Sequence, residues 1–545
     1  MKKTILAFSL LTLSSSLFAQ SWCWGREGAG VMKANDYNDA VAVDKVGNAI
    51  FTGQYENMMV IDGDTITDAQ DEMYVVKFDA SGNVLWMRQP RPSPYTSFGT
   101  SVATDNENNV YAAGEVNGVM NFGTGNVSGG YLTKYSPSGV NLWTAQYLGD
   151  FNYICTDRFN NIYVGTDSHG IYKYSSGGGL IWSVSFSQPV EAVKTDYEGN
   201  IYATGYFVGG IVLGPDTLRT PFIDIFLVKY DSAGNFIWAR QSKSASAVSY
   251  GEAYGITVDP ANNVYITGRV HDTAALGSNT IISPPTGITG QCNIILAKYD
   301  PNGNLLWEKQ SKDKGIWVGV SLSADINGHI YMGASSTGDS LIYSAYTLPL
   351  PSHKITNSYA FILEFDTSGN AINNGVLING VAAPYQQYHI DMAADSSGNF
   401  IYLAGTFVDD TVFTGPDTLL DRNGGTLPYY ARWAAVECVP QINSEGINNL
   451  QSNNSGVVLY PNPSNGKFAI EVRNEELSEG IPIGKVKSTV EVFNMLGEKI
   501  CSSSFSIYNS TFNINLGSQS NGIYLYRVLN ENGELAGEGK FVINK

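Results

Sequence analysis

The 545-residue sequence predicts an all-β protein: a seven-bladed β-propeller of four-stranded blades, with an N-terminal strand closing the last blade, followed by a small C-terminal β-sandwich. Three observations predict it. One turn motif recurs seven times, as DKVGNAIFTG from Asp44, DNENNVYAAG from Asp105, DRFNNIYVG from Asp157, DYEGNIYATG from Asp196, DPANNVYITG from Asp259, DINGHIYMG from Asp325 and DSSGNFIYLAG from Asp395. A second motif alternates with it, as KFDASGNVLW ending at Trp86, KYSPSGVNLW at Trp143, KYSSGGGLIW at Trp182, KYDSAGNFIW at Trp238 and KYDPNGNLLW at Trp307. The composition agrees: 58 Gly, 33 Tyr and 9 Trp against 15% charged residues make a turn-rich, aromatic chain.

The elements follow in chain order. Lys2 and Lys3 precede an apolar, serine-interrupted run from Ile5 to Ala19, too short to span a bilayer and ending in a small residue. Residues 1–19 read as a signal peptide cleaved after Ala19. No later stretch approaches membrane length, so the chain is expected to be exported, with no transmembrane segment, and to reach the medium or the cell surface. A formal charge of -18 argues against nucleic acid or an anionic membrane as partner; an acidic coat that keeps a secreted monomer soluble accounts for it.

Residues 20–440 carry the repeats. Each motif has hairpin grammar: an alternating apolar run enters an Asp, a short stretch ends in Gly-Asn or Asn-Asn, and a β-rich run follows. Gly and Asn tolerate positive φ, and Asp accepts hydrogen bonds from turn amides. Two motifs make four strands, which at this spacing read as one propeller blade. The sixth copy has Asn373 where tryptophan is expected, and the seventh reaches YYARWAAVECVP, with Arg432 in the lysine position, and stops without a fourth strand. SWCWGRE, standing alone near the N-terminus, supplies that strand, because Trp24-Gly25-Arg26 matches Trp86-Met87-Arg88 and Trp238-Ala239-Arg240. Closing the ring in this way removes exposed strand edges. Cys23 then aligns opposite Cys438, and a disulfide between them replaces the missing hairpin, gaining about 5 to 6 kcal/mol in the loop-entropy picture. Two unpaired thiols are the alternative. Cys155, Cys292 and Cys501 match no zinc spacing.

These units resemble SBBP-type bacterial β-propeller repeats, with D-x-x-G-N-x-Y and K-Y-D-x-x-G-N-x-x-W in most blades. The resemblance implies a seven-bladed ring on a secreted or surface protein and no single ligand. A polar linker, residues 441–456, separates it from residues 457–545, where short alternating strands with Gly or Asn-Gly turns predict the sandwich. Tyr460-Pro461-Asn462-Pro463 with Gly466, VFNMLG ending at Gly497, Gly522 and Tyr524 of NGIY, and Lys540 of the final KFV resemble, in order, the type A C-terminal sorting domain of the type IX secretion system found in Bacteroidetes. That resemblance implies the type IX secretion machinery as a partner.

For function, the sequence offers a face. Both motifs turn at the same end of each blade, so the variable connections gather at the other, where loops on a rigid scaffold usually bind. Tyr37, Phe98, Phe151, Tyr250, Trp317 and Tyr388 stand there, just before the first strands, and either stack on sugars around the axis or pack against neighbouring blades. KYDSAGNFIW resembles the D-x-G-x-x-W box of sialidases, but its Asp-to-Gly and Gly-to-Trp steps are each one residue longer. Residues repeated in five to seven blades are best explained by what every blade needs, namely turns and packing. IDGDTITDAQDE lacks the third ligand and the glycine of an EF-hand loop, and no H-E-x-x-H, G-x-S-x-G or phosphate loop is present. The expectation is a non-enzymatic binding or adhesion module for a surface glycan or a protein, with no metal, cofactor or catalytic residue. A secreted carbohydrate-active enzyme using loop carboxylates and a passive element of the cell envelope are the alternatives.

Overall fold

The computed structural model describes residues 21–30, 37–147, 151–167, 170–277, much of 279–434, and the strands that lie between 457 and 543. The chain divides into two compact units, 1–439 and 440–545. The first is a ring of seven four-stranded antiparallel blades. Blade 2 is representative, running outward from the axis as Thr96–Thr104, Val110–Asn121, Asn126–Tyr135 and Asn141–Tyr147. The other innermost strands are Tyr37–Val43, Phe151–Thr156, Val190–Thr195, Tyr250–Val258, Trp317–Ala324 and Ile390–Ala394, in blades 1 and 3 to 7. Blade 7 is completed by the N-terminal strand Ser21–Glu27, which pairs antiparallel with Thr426–Ala434 in the register the sequence alignment required, Trp24 opposite Arg432. In blade 4 the same rung is Trp238 opposite Lys229.

The first motif makes its turn as expected. In blade 1 the Asp44 carboxylate accepts the amides of Val46 and Asn48 and the Asn48 side-chain amide, at 2.8 to 3.0 Å. The residue three after the Asp is left-handed in every blade and is Gly or Asn, as with Gly47 at φ 85° and Asn108 at φ 61°. The second motif is left-handed at the same place but admits only glycine: Gly82, Gly139, Gly178, Gly234, Gly303 and Gly369. The difference lies in the neighbouring blade. A Cβ on any of these six would stand 2.7 to 3.3 Å from the indole of the preceding blade's tryptophan, whereas one on Gly47 would meet nothing within 4 Å.

Each such tryptophan therefore joins its blade to the next. Trp238 lies over Gly303 and donates its indole N–H to the Pro301 carbonyl at 3.0 Å, and Lys229 reaches the same carbonyl at 3.3 Å. Lys229 is also paired with Asp196 at 3.3 Å, both side chains buried, and sits 4.7 Å from the centre of the Tyr202 ring. The same Lys-to-Asp pair binds the two motifs of blades 1, 2, 3 and 5. Trp24 plays the tryptophan's part for the closing strand, over Gly82 and bonded to the Ala80 carbonyl.

The exception explains itself. Blade 7 has no hairpin between third and fourth strands, because its fourth strand comes from the other end of the chain, so a tryptophan at residue 373 would have no turn to cover. Tyr331 of blade 6, the counterpart of tyrosines that meet their own blade's tryptophan, is met by Trp433 of blade 7, ring centres 6.2 Å apart. Blade 6 also carries Glu364 in the lysine position, with the His329 ring between Glu364 and Asp325 at 3.2 and 3.4 Å.

Cys23 is disulfide-bonded, while Cys155 is a buried thiol and Cys501 a partly exposed one. Cys438 lies outside the described residues. The second unit is a β-sandwich. A three-stranded sheet built on Lys467–Val472 and a four-stranded sheet built on Val486–Phe493 and Gly522–Leu529 share a core of Phe468, Ile514, Val490, Tyr526 and Val528. Among the described residues no helix is long and apolar enough to cross a membrane.

One buried acid marks the seam between blades 1 and 2. Glu72 is 1% exposed; Ser97 of blade 2 donates to one of its oxygens at 2.6 Å and accepts the Met73 amide at 2.9 Å. Burial, with Asp68 and Asp71 adding repulsion, pushes its carboxyl up to about 8 from an ordinary 4.5. The folded ring thus holds a proton that the unfolded chain has released, and stability falls as pH rises from about 4.5 through about 8. Glu72→Gln removes this dependence: thermal melts are expected to show the variant gaining on the parent steadily between pH 5 and pH 8.5. A difference that is flat across that range refutes the assignment.

Candidate binding site on the propeller axis

The seven innermost strands enclose a cavity of about 300 Å³ on the ring axis. Their inward edges carry backbone groups that no sheet neighbour satisfies, and side chains of adjacent blades meet many of them. The Ser101 hydroxyl accepts the Ile154 amide at 3.0 Å, Ser321 accepts Met392 at 3.2 Å, and Asp391 accepts Val41 at 2.9 Å across the closing seam. Further down, Thr104, Thr156 and Thr195 each donate to a carbonyl of the blade before, Val43, Thr104 and Thr156 in turn. This hoop of hydrogen bonds holds the cavity wall, which Ser101, Ser321, Thr104 and Thr156 line.

Among the described residues, six innermost strands carry a β-bulge, five residues ahead of the turn Asp: Asp39, Thr100, Asn152, Glu191, Tyr254 and Val320 are the extra residues. A bulge re-aims a side chain. In blades 4 and 5 the bulges and their neighbours form a polar cluster at the mouth where the strands begin. Arg269 donates to Glu252 at 2.5 Å and lies 5.6 and 5.7 Å from the ring centres of Tyr250 and Tyr254; the Tyr254 hydroxyl donates to the same carboxylate oxygen at 2.7 Å. Glu191 stands near, its carboxyl raised to about 7 by burial and by the charges of Asp167 and Glu252. Below them, Lys194 lines the cavity.

The residues singled out in the sequence fall as follows. Tyr37, Phe151, Tyr250 and Trp317 are the first residues of their innermost strands and Phe98 the third, so the aromatics lie within the strands rather than ahead of them. Tyr250 is engaged in its own blade, stacked on His271 with ring centres 4.9 Å apart and its hydroxyl 3.1 Å from the Cys292 sulfur. Tyr388 lies outside the described residues. In the second unit Tyr460 ends a strand, Gly522 opens one, Tyr524 is buried and donates to the Ser520 carbonyl, and Lys540 pairs with Leu525. Pro461, Asn462, Pro463, Gly466 and Gly497 lie outside the described residues. Glu191, Lys194, Glu252, Arg269 and Asp391 escaped the sequence reading. Among the described residues no group of three or more His, Cys, Asp or Glu is placed to hold a metal.

The long connections between second and third strands also behave differently from binding loops. Several are β-hairpins that turn back onto the preceding blade. Thr273–Leu276 of blade 5 pairs with the outer strand of blade 4, and Ser311 at the end of blade 5 bridges to Tyr343 of blade 6. They cover strand edges that would otherwise stay open.

Comparison with known proteins places residues 458–544 in the family described as a secretion system C-terminal sorting domain. An uncharacterized WD repeat-containing protein of Acanthamoeba polyphaga mimivirus, L264, is 24% identical over 56% of this chain, which spans 30% of that protein's length. Among solved structures, PorZ of Porphyromonas gingivalis, a surface component of the type-IX secretion system, is 11% identical with a TM-score of 0.30, covering 92% of this chain and 74% of its own. BamB of Moraxella catarrhalis is also 11% identical with a TM-score of 0.30, covering 66% and 88%. A fungal alcohol oxidase of the AA5 family, at 10% identity and TM-score 0.35, covers 96% and 100%. Likeness at this level carries nothing about function. The sorting domain does: it marks the chain for export to the cell surface or the medium.

Proposed function

We propose that the chain is a secreted or surface-held binding module, delivered by the type IX secretion machinery through residues 457–545 after loss of residues 1–19, and acting as a monomer on a surface glycan or a protein. The observation that supports this most is a division of labour. Residues common to the blades are consumed by turns and seams, whereas side chains unique to one blade stand free of that work: Lys194 lines the axial cavity, and Glu191, Glu252 and Arg269 cluster on blades 4 and 5. Concave, polar-lined sites on rigid scaffolds are where ligands usually bind. The proposal includes Cys438 as the partner of Cys23, with residues 20–440 as the ring and 441–456 as a linker.

A hydrolytic alternative has one observation in its favour, the raised carboxyl of Glu191 beside Glu252, the kind of environment a general acid uses. Both carboxylates stand on strands, not loops. The test is a screen of the purified chain against polysaccharides and surface extracts, with product release followed in the same wells. Saturable binding without turnover is the expected result. Turnover abolished by Glu191→Gln would establish the enzyme, and silence throughout would favour a passive role in the envelope. Delivery is checked separately: a chain ending at Pro440 is expected to stay inside the outer membrane of its host, and surface display of that chain would refute the sorting role.

A further inference from the structure

The axial cavity holds one feature that the ring does not need. Two residues before each turn Asp, the innermost strands carry Ala42, Ala103, Cys155, Lys194, Thr257, Ser323 and Ala393. Six blades therefore present a small side chain at this level, and blade 4 alone a long cationic one. All seven line the cavity, and among the described residues Lys194 is the only lysine or arginine that does. Among the described residues Lys194 is exposed and makes no hydrogen bond or ion pair, although its charge is felt by Asp391 and Cys155. A structural lysine in this protein looks different: Lys134, Lys173, Lys229 and Lys298 are buried, paired with Asp and placed over a Tyr ring.

Around Lys194 the wall mixes apolar side chains with hydroxyls, and its one carboxylate among the described residues, Asp391, is taken up by hydrogen bonds from Val41, Ser321 and Met392. Ser101, Thr104, Thr156, Thr257, Ser323 and Tyr254 all border the cavity. At about 300 Å³ it sits at the small end of ligand pockets, roughly 300 to 1,000 Å³, the size of one sugar ring. A single ammonium suits a single carboxylate, and a hoop of hydroxyls suits a ligand rich in hydroxyls.

We infer that the axial cavity is a site for a polyhydroxylated carboxylate, a uronic-acid ring with its carboxylate on Lys194 and its hydroxyls on the hoop of serine and threonine. This rests on the binding-module reading and narrows it to one site and one ligand chemistry. The ring would come either as a free acid sugar or as the terminal residue of an acidic glycan.

The experiment uses the full secreted chain and titration calorimetry with glucuronate, its uncharged methyl ester, glucose, glutarate, and a trisaccharide ending in glucuronate. Glucuronate is expected to bind saturably, the methyl ester and glutarate at least about tenfold more weakly, as expected when one charge-assisted contact or the hydroxyl set is lost. Lys194→Met should weaken glucuronate by a similar factor with an unchanged melting temperature, and Lys194→Arg should restore most of it. Trisaccharide binding that depends on Lys194 assigns the glycan terminus as the source; binding of the monosaccharide alone assigns the free acid. Equal binding by glutarate, or glucuronate binding untouched by Lys194→Met, overturns the inference. If polysaccharide capture by the chain survives Lys194→Met, the binding module stands and the axial site falls.

Discussion

Replacing Gly303 by alanine is expected to cost the ring about 3 to 5 kcal/mol, and the same change at Gly47 about 1 to 2 kcal/mol. The two glycines are matched in conformation, with φ of 79° and 85°, so the strain of a left-handed alanine is common to both. They differ in what the new methyl meets. At Gly47 it enters open space, while at Gly303 it stands 2.7 Å from the Trp238 ring and 2.9 Å from the Arg240 guanidinium. Relief would require the indole to lift, losing its contact and stretching its bond to the Pro301 carbonyl. Thermal and denaturant melts of the two variants decide the matter. Equal losses would mean that the tryptophan seam adds nothing beyond the turn itself.

The second large effect is in the buried ion pairs. Lys229→Met leaves the Asp196 carboxylate, its side chain 1% exposed, without a counter-charge, and the expected loss is about 3 to 5 kcal/mol. Asp196→Asn strands the ammonium in turn, with only the Pro301 carbonyl and the Tyr202 face left to it. The double variant Lys229→Met with Asp196→Asn is expected to recover about 1 to 3 kcal/mol of the summed single losses, because neither charge then remains unpaired. Strictly additive losses would show that the pair is not coupled, and that Lys229 acts through packing alone.

Much of this architecture is legible in the sequence alone. The two motifs carry their own turn chemistry, so blade number, strand order and the closing strand follow from counting Asp, Gly and Trp. The partner of each tryptophan was not readable in the same way, since a contact between Trp238 and Gly303 joins residues far apart in the chain. Its trace was nevertheless present: the first motif alternates Gly with Asn at its left-handed position, while the second never does. Asn373 likewise looked like a lapse until the missing hairpin of blade 7 removed the turn that a tryptophan would cover. The axial site was harder still. Glu191 and Glu252 come together from the innermost strands of different blades, residues far apart in the chain with no motif to link them. Lys194 is the one axial residue a column-by-column alignment of the repeats reveals, because it alone departs from a run of small residues.

The seams also bear on how such a chain can change length over generations. Blades 1 to 5 each offer a tryptophan on one side and a bare glycine turn on the other, so a duplicated copy dropped among them would find a fitting neighbour on both flanks. Blade 7 has no such freedom, since its outer strand is borrowed from the start of the chain and its inner seam relies on Trp433. Growth or loss of units is therefore permitted within the array and blocked at its join, and the two ends of the gene segment must be inherited together for any number of blades to close.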